Sequence, residues 1–339
     1  MSDRRAFVRS AAAFLAASPF ASRLLWPRRQ ESAFRWHQLR EDVWMVEKGG
    51  GNTTVIRERD GAVVIDLKLG GVGIALRREI EARVGPIQAV IITHHHGDHS
   101  AGYHAFRPIR GFIHRNGVPR VRNELVATGK VAGNRKQFVD QTFDFLDREF
   151  EFARTPATEA DIEAFAAWVV DAAAEDAAPG ELVDGRSEPQ LGRTTFRLIY
   201  PGNAHTDNDL FVVDRRRRLV VTGDLLFHGY HPFVDVAAGA SIGGWEKAID
   251  VMTGEMKSDW LVVPGHGAPT DRDGLLTQRA YFETVRSVVA EAKNAGKSRE
   301  EIKALPNRFP NHGFGTMWPV NLGIAFDEIV IPLDLPDTK

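Results

Sequence analysis

The stretch AVIITHHHGDHSAG at residues 89–102 places His94, His95, His96, Asp98 and His99 within six positions. Crowded imidazoles and carboxylates are costly unless something binds them, so the cluster points to a cation. On an extended segment His94 and His96 project to one side and can share an ion, while His95 points the other way. Asp98 and His99 fall where the chain turns into a helix and can serve a second ion. These residues do not complete two coordination shells, and three later stretches supply more: TTFRLIYPGNAHTDNDL carries His205, RRLVVTGDLLF carries Asp224 and DWLVVPGHGAP carries His266. Together they are enough for three imidazoles on one ion, Asp98, His99 and His266 on the other, and Asp224 bridging both. The chain contains no cysteine, which excludes disulfides, thiolate nucleophiles and sulfur-ligated metal. Nitrogen and oxygen donors of this kind suit zinc, two per chain, with a position left for water; iron and manganese remain alternatives.

The elements that must position these residues are short. DVWMVEKGGGNTTVIRERDGAVVIDLKLG predicts a β-meander with strands over Val43 to Glu47, Asn52 to Arg57 and Ala62 to Asp66, joined by GGGN and RDG turns. Apolar residues Ile74, Leu76, Ile80 and Val84 predict a helix over Gly73 to Val84. A strand over Ala89 to Thr93 follows, and the histidines begin where it ends. His205, Asp224 and His266 likewise close strand-like runs, so the same device, a rigid strand aiming a loop residue, recurs along the chain.

With these elements in place, H-x-H-x-D-H at 94–99, H-T at 205, G-D at 223 and G-H-G at 265 resemble, in this order, the metallo-β-lactamase superfamily over roughly residues 35 to 295. The resemblance implies an α/β architecture, a four-layer αββα sandwich with a dinuclear metal site at one edge of its two sheets. It implies His94, His96 and His205 on the first metal, Asp98, His99 and His266 on the second, and Asp224 between them. It also implies that Asp66 supports the histidine loop from behind, although Leu67 and Lys68 stand where the family has small residues, and Asn208 stands where it commonly has glycine. The segments GDLLFHGYHPFVDVAAGASIGGW and VVPGHGAPTDRDGLL look like those of exported hydrolases of that superfamily.

Other segments complete the organisation. In MSDRRAFVRSAAAFLAASPFASRLLWP, Arg4 and Arg5 precede the apolar run Ala11 to Ala21, which is too short to span a bilayer. This resembles a twin-arginine signal, so residues 1–32 read as signal and linker and the mature protein as periplasmic, with no stable membrane anchor. Residues 33–296 read as the metal-binding domain and 297–339 as an extension packing on it, opened by a capping box at Ser298 and Glu301. Within the domain, about 115–190 reads as a helical insertion, with 110–154 basic, 159–188 acidic, and a helix over Ala160 to Ala174. The run Asp214-Arg215-Arg216-Arg217-Arg218 reads as a solvated hairpin turn. His37, His104, His114 and His312 read as ordinary polar residues; His228, His231 and Tyr230 are pocket candidates.

The formal net charge of -2 gives no general attraction to nucleic acid, and a small-molecule substrate is expected. Two divalent ions about 4 Å apart can bring the pKa of a shared water down to roughly 7 and polarise a carbonyl, so no Ser-His-Asp triad is needed. Asp98 and Asp224 are then the catalytic carboxylates, and the expected reaction is hydrolysis of an ester, lactone, thioester or amide. The lysine that relatives use to grip a substrate carboxylate, three residues past Asp224, is Phe227 here, which disfavours β-lactams. The alternatives are a sulfur dioxygenase with one iron on His94, His205 and Asp224, a β-lactamase or phosphodiesterase, and a zinc-stabilised binding protein without turnover.

Overall fold

The computed structural model describes residues 32–329. The signal assigned to residues 1–32 thus lies, Ser32 aside, outside the described residues, as do residues 330–339. Arg35–Arg40 (β1), Val43–Glu47 (β2), Thr53–Glu58 (β3) and Gly61–Ile65 (β4) form an antiparallel meander. It continues into parallel strands Ile87–Ile91 (β5), Arg110–His114 (β6) and Glu181–Val183 (β7), giving a seven-stranded sheet in chain order. The second sheet takes Arg186–Ser187 (β8), and after the small ladder of Gln190–Leu191 (β9) and Thr194–Thr195 (β10) it takes Arg197–Ile199 (β11), Phe211–Asp214 (β12), Leu219–His228 (β13) and Leu261–Gly267 (β14). Its order is β14-β13-β12-β11-β8, with only the β13–β14 pair parallel.

Alternation along the strands sorts side chains into stacked apolar layers. Val43, Met45, Ile56, Val63, Ile65, Ala89 and Ile91 meet Leu210, Val212, Leu219, Val221 and Val263 between the sheets. Their neighbours one position away face outward: Val46, Val55, Val64 and Val90 pack under helix Val72–Arg83 (α1), and Phe211, Val213, Val220 and Val262 pack under the helices of the second sheet. Period-two burial on both faces is what a sheet covered by helices requires. Gly97–Ser100 (α2) is a single turn at the end of β5. Gly117–Ala132 (α3), Arg135–Phe150 (α4) and Pro156–Val169 (α5) follow β6, the last started by a Thr155 capping box with proline at the first turn. Ile242–Gly254 (α6) and Arg272–Asn294 (α7) cover the second sheet through Trp245, Ile249, Phe282 and Val285. Arg299–Lys303 (α8) carries the Ser298–Glu301 capping box, and Met317–Glu328 (α9) buries Trp318 and Leu322 in the same layer. Among the described residues no helix is long and apolar enough to cross a membrane.

Several sequence expectations need correction. The meander has a further strand, β1, whose residues RWHQLR are only partly covered and so carry no clean alternation. The insertion is not helical throughout: residues 181–187 run as strands at the edges of both sheets, and the basic stretch 110–154 begins with Arg110–His114, an inner strand of the first sheet just ahead of the insertion. The helix placed over Ala160 to Ala174 runs over Pro156–Val169. The arginine hairpin is not wholly solvated: Arg217 is only 6% exposed. Its Nη1 donates to Glu58 Oε1 and Asp214 Oδ2, each at 2.7 Å, and its Nε donates to Asp42 Oδ2 at 2.8 Å. A guanidinium on the β12–β13 turn thereby clamps the second sheet to β3 of the first. Removing it leaves two buried carboxylates unpaired, so Arg217→Met is expected to lower the unfolding free energy by about 3–5 kcal/mol, read as a fall in urea midpoint at unchanged slope.

Candidate metal centre

The clustered residues follow the end of a strand, whereas Asp224 and His266, expected to close strand-like runs, lie inside strands. His94, His96, Asp98 and His99 follow β5 and enter α2; His205 lies in the β11–β12 loop; Asp224 lies within β13 and His266 within β14. Parallel pairing of β13 with β14 sets Asp224 and His266 on neighbouring strands, and the two sheets are stitched at this end. Asn52 donates through Nδ2 to Pro264 O at 3.0 Å and Gly267 O at 2.9 Å, and Leu210 N–H donates to Thr93 O at 2.7 Å. Glycine is required where backbone touches the cluster: a Cβ at Gly51 would collide with His99 Nε2, and one at Gly265 with Asp224 Oδ1.

The hydrogen bonds fix which nitrogen of each imidazole is free. Thr93 Oγ1 donates to Asp66 Oδ2 at 2.8 Å and so accepts from His94 Nδ1 at 3.0 Å. His205 Nδ1 donates to Phe233 O at 2.7 Å, His96 Nε2 to Asp235 Oδ2 at 3.0 Å, and His99 Nδ1 to Asp66 Oδ2 at 2.7 Å. In the neutral rings the remaining nitrogens carry lone pairs, and they converge. His94 Nε2 and His205 Nε2 lie 3.1 and 2.9 Å from His96 Nδ1. Donors on one zinc at 2.0–2.1 Å lie about 3.4 Å apart in a tetrahedron, close to these spacings. Burial would lower His96, yet Asp235, Asp98 and Asp224 raise it, so in the metal-free fold a proton on its Nδ1 can take up the contact, and a cation that displaces that proton satisfies all three nitrogens at once.

A second convergence adjoins the first. Asp98 Oδ2 lies 3.4 Å from His99 Nε2 and 3.3 Å from His266 Nε2. Asp224 serves both: Oδ2 is 3.7 Å from His94 Nε2, 3.6 Å from His205 Nε2 and 3.4 Å from His266 Nε2, while Oδ1 is 3.0 Å from His99 Nε2. Buried Asp224 Oδ1 nonetheless makes no hydrogen bond, so its lone pairs stay open. All seven residues named from the sequence come together, as two triads that could each hold a metal, with Asp224 able to reach both.

Titration follows burial and these neighbours. Burial alone would raise the Asp98 and Asp224 carboxyls, but the His99 and His266 imidazoles hold both well below the usual range. Burial would lower His99 and His266, yet Asp224 and Asp98 push His99 well above its ordinary value and His266 up to about 9. Burial, reinforced by neighbouring imidazoles, drives His94 well down and His205 to about 3. Without metal, the second triad stores protons that a cation must displace.

The surroundings hold these ligand candidates in place. Asp66, at φ 64°, accepts from Thr93 N–H, Thr93 Oγ1 and His99 Nδ1, so it orients His99 as well as the histidine loop. Asp235 holds the outer edge of His96 and is a carboxylate that no local sequence pattern marks. His95 is not a ligand candidate in practice: Asn208 Nδ2 donates to its Nδ1 at 3.1 Å, leaving a proton on Nε2. Buried Lys68 donates from Nζ to Val46 O and Gly51 O at 2.6 and 2.5 Å, clamping the glycine loop over His99. Phe227 stacks on His266 at 5.1 Å, Phe314 from the carboxy-terminal extension meets the same ring at 5.8 Å, and Phe233 lies against His96 at 5.7 Å. Of the other candidates, His228 donates to Ala268 O, His231 is fully buried against Tyr281, and Tyr230 packs on Phe314. His37 pairs with Glu47, His104 and His114 stack on Trp168 and Tyr200, and His312 packs against His231.

Residues 46–278 match the family model of the metallo-beta-lactamase superfamily, so the chain belongs to that superfamily, whose members are largely metal-dependent hydrolases. It is 29% identical over 87 residues to a metallo-beta-lactamase type 2 from Bacillus sp. (strain 170), a match covering 26% of this chain and 34% of that protein, about a third of its length. A metallo-beta-lactamase from Pontibacter korlensis superposes with a TM-score of 0.53 at 15% identity, over 74% of this chain and 99% of that one. The metallo-beta-lactamase FIM-1 from Pseudomonas aeruginosa, in its mono-zinc form, gives 0.50 at 14% identity, over 74% and 95%. These likenesses show the metallo-β-lactamase fold.

Two outcomes follow for the site. The raised His266 pKa means that its ion pairs stabilise the metal-free fold fully below about 6.5 and lose that contribution as pH rises through about 9. The melting temperature of chelator-treated protein is therefore expected to fall from pH 6.5 to 9, while the increase given by zinc grows over the same window. Asp66→Asn, which removes an acceptor from His99, is expected to weaken zinc binding about 10–100-fold by competition with a chelating dye.

Proposed function

We propose that the chain is a dinuclear zinc hydrolase that cleaves an ester, lactone, thioester or amide of a small molecule. The observation that carries this reading is the pair of convergent donor sets, with imidazole tautomers fixed by Thr93, Asp66, Asp235 and Phe233 O and with Asp224 shared between them. His94, His96 and His205, with Asp224, would hold the first zinc, and Asp98, His99 and His266, with Asp224, the second. Bound there, the metals supply a water of lowered pKa and polarise the scissile carbonyl. Asp98, the most exposed carboxylate of the set, would take a proton from attacking water on the oxygen left free of zinc and pass it to the leaving group. Phe227, Phe233 and Phe314 give an apolar surround that excludes bulk water and sharpens electrostatic interactions inside.

The surroundings favour an uncharged substrate over a carboxylate-bearing one. Phe227, at the offset where a gripping lysine would stand, packs on His266, and nearby Arg120 is engaged by both oxygens of Asp207. The paired arginines and short apolar run at the amino terminus support action in the periplasm.

Elemental analysis of protein purified without chelators or affinity metal is expected to give about two zinc per chain, with Asp224→Ala retaining less than one and losing activity on a panel of lactones and esters by about 1,000-fold or more. About one iron per chain would replace this reading with oxygen-dependent sulfur chemistry on His94, His205 and Asp224. Full metal content with no turnover of any panel member in any variant would leave a metal-stabilised binding protein.

A further inference from the structure

The carboxy-terminal extension reaches the metal-binding residues through Phe314, and it does so at a conformational cost. Phe314 sits at φ 55°, in the left-handed region that bulky side chains avoid and that a glycine, such as its neighbours Gly313 and Gly315, takes without steric penalty. The chain around it is fastened on both sides. Gly313 N–H donates to Gly229 O at 3.0 Å, His231 N–H donates to Gly313 O at 2.9 Å, and Met317 N–H donates to Phe314 O at 2.8 Å. Gly313 lies against the Tyr230 ring, where a Cβ would come within 2.2 Å. Trp318 Nε1 donates to Leu305 O at 3.1 Å and fixes the start of α9. Backbone strain persists only where the surroundings over-determine it, and it gathers where a side chain must be put in a particular place.

What this arrangement places is an aromatic ring. Its centroid is 5.8 Å from the His266 imidazole, at 73° to it, and 4.9 Å from the Tyr230 ring. Phe227 stacks on the same imidazole at 17°, but it is buried and also meets Trp245, so its ring belongs to the core. Phe314 is only half-buried, as are His266 and Asp98, whose facing atoms lie 3.3 Å apart. A molecule that reaches His266 from solvent therefore meets Phe314 beside it. The negative face of an aromatic ring disfavours an anion there, and a cation would be repelled by the metals that the site would hold. An uncharged apolar group is the partner left.

We propose that Phe314 is a specificity-determining residue, whose ring holds an uncharged aryl or branched alkyl group that the substrate carries next to the bond cleaved. The proposal rests on the hydrolase reading for the bond and on the placement of Phe314 alone for the apolar group. It gives the carboxy-terminal extension, which lies beyond the residues 46–278 matched to the family, a part in choosing the substrate.

The test uses the full chain loaded with zinc and two thiols, 2-phenylethanethiol and ethanethiol, whose sulfur binds zinc; the chain has no cysteine with which they could form a disulfide. By isothermal titration calorimetry the unaltered chain is expected to bind the aryl thiol about tenfold or more tighter, and Phe314→Ala to bring the two affinities within about twofold of each other. Phe314→Leu, which keeps an apolar side chain, is expected to show a preference between these. Phe314→Gly removes the ring and relieves the backbone, so it guards against an alanine variant that misfolds, and circular dichroism and zinc content identify which remain native. In parallel, kcat/KM for p-nitrophenyl phenylacetate over p-nitrophenyl acetate is expected to fall about tenfold on either truncation. An aryl preference unchanged in a native truncation, or absent from the unaltered chain while acetate is hydrolysed, overturns the role of Phe314. A preference that disappears with the ring, with no ester or lactone turned over, supports the apolar contact and overturns the hydrolase reading instead. Binding of neither thiol overturns both.

Discussion

The constraint on which the structure turns is the convergence of His94 Nε2, His96 Nδ1 and His205 Nε2, with His96 Nδ1 only 3.1 and 2.9 Å from the other two. Three separate parts of the fold hold them there. Thr93 at the end of β5, the Phe233 carbonyl after β13 and Asp235 beyond it each take one imidazole proton, so each ring keeps its other nitrogen turned inward. A cation at that point satisfies all three nitrogens at once, where a proton on His96 can bridge only between pairs, which is why folding and metal uptake are expected to be coupled.

That arrangement depends on the junction of the two sheets. Asn52 crosses from the β2–β3 turn to the backbone of β14, Leu210 pairs with Thr93, and Arg217 ties the opposite sides of the interface. Lys68 is a further part of this support: burial pushes its ammonium down to about 7 against the pull of Asp98, Glu47 and Asp66, and its donors go to the carbonyls that shape the glycine loop. The carboxy-terminal helices are also more than an appendage. Trp318 is 2% exposed, Asn321 donates to Pro232 O at 2.9 Å, and the chain between α8 and α9 delivers Phe314 to His266.

Specificity is best sought in the parts laid over this scaffold. Aromatic side chains face the ligand candidates from β13, from the loop after it and from the carboxy-terminal extension. In the proposed hydrolase the metal-binding residues would define where a bond is broken, and these aromatic side chains which molecule can bring a bond there.

What the sequence determined by itself is the layer pattern and the ligand candidates, because both are local. Continuous apolar runs in AVVID and AVIIT dictate strands with two covered faces, and histidines or aspartates that follow such runs can be read without knowing where the chain goes next. The polar strand β1 and the short strands at residues 181–187 escaped that reading, since edge pairing rather than side-chain pattern holds them. Only the tertiary structure decided that His95 keeps its Nε2 proton, that Asp235 rather than a nearer carboxylate orients His96, and that one arginine of four in a basic turn is buried. Those outcomes depend on partners more than 100 residues away in sequence, such as Asn208 for His95 and Glu58 for Arg217, and no local pattern encodes a pairing of that range.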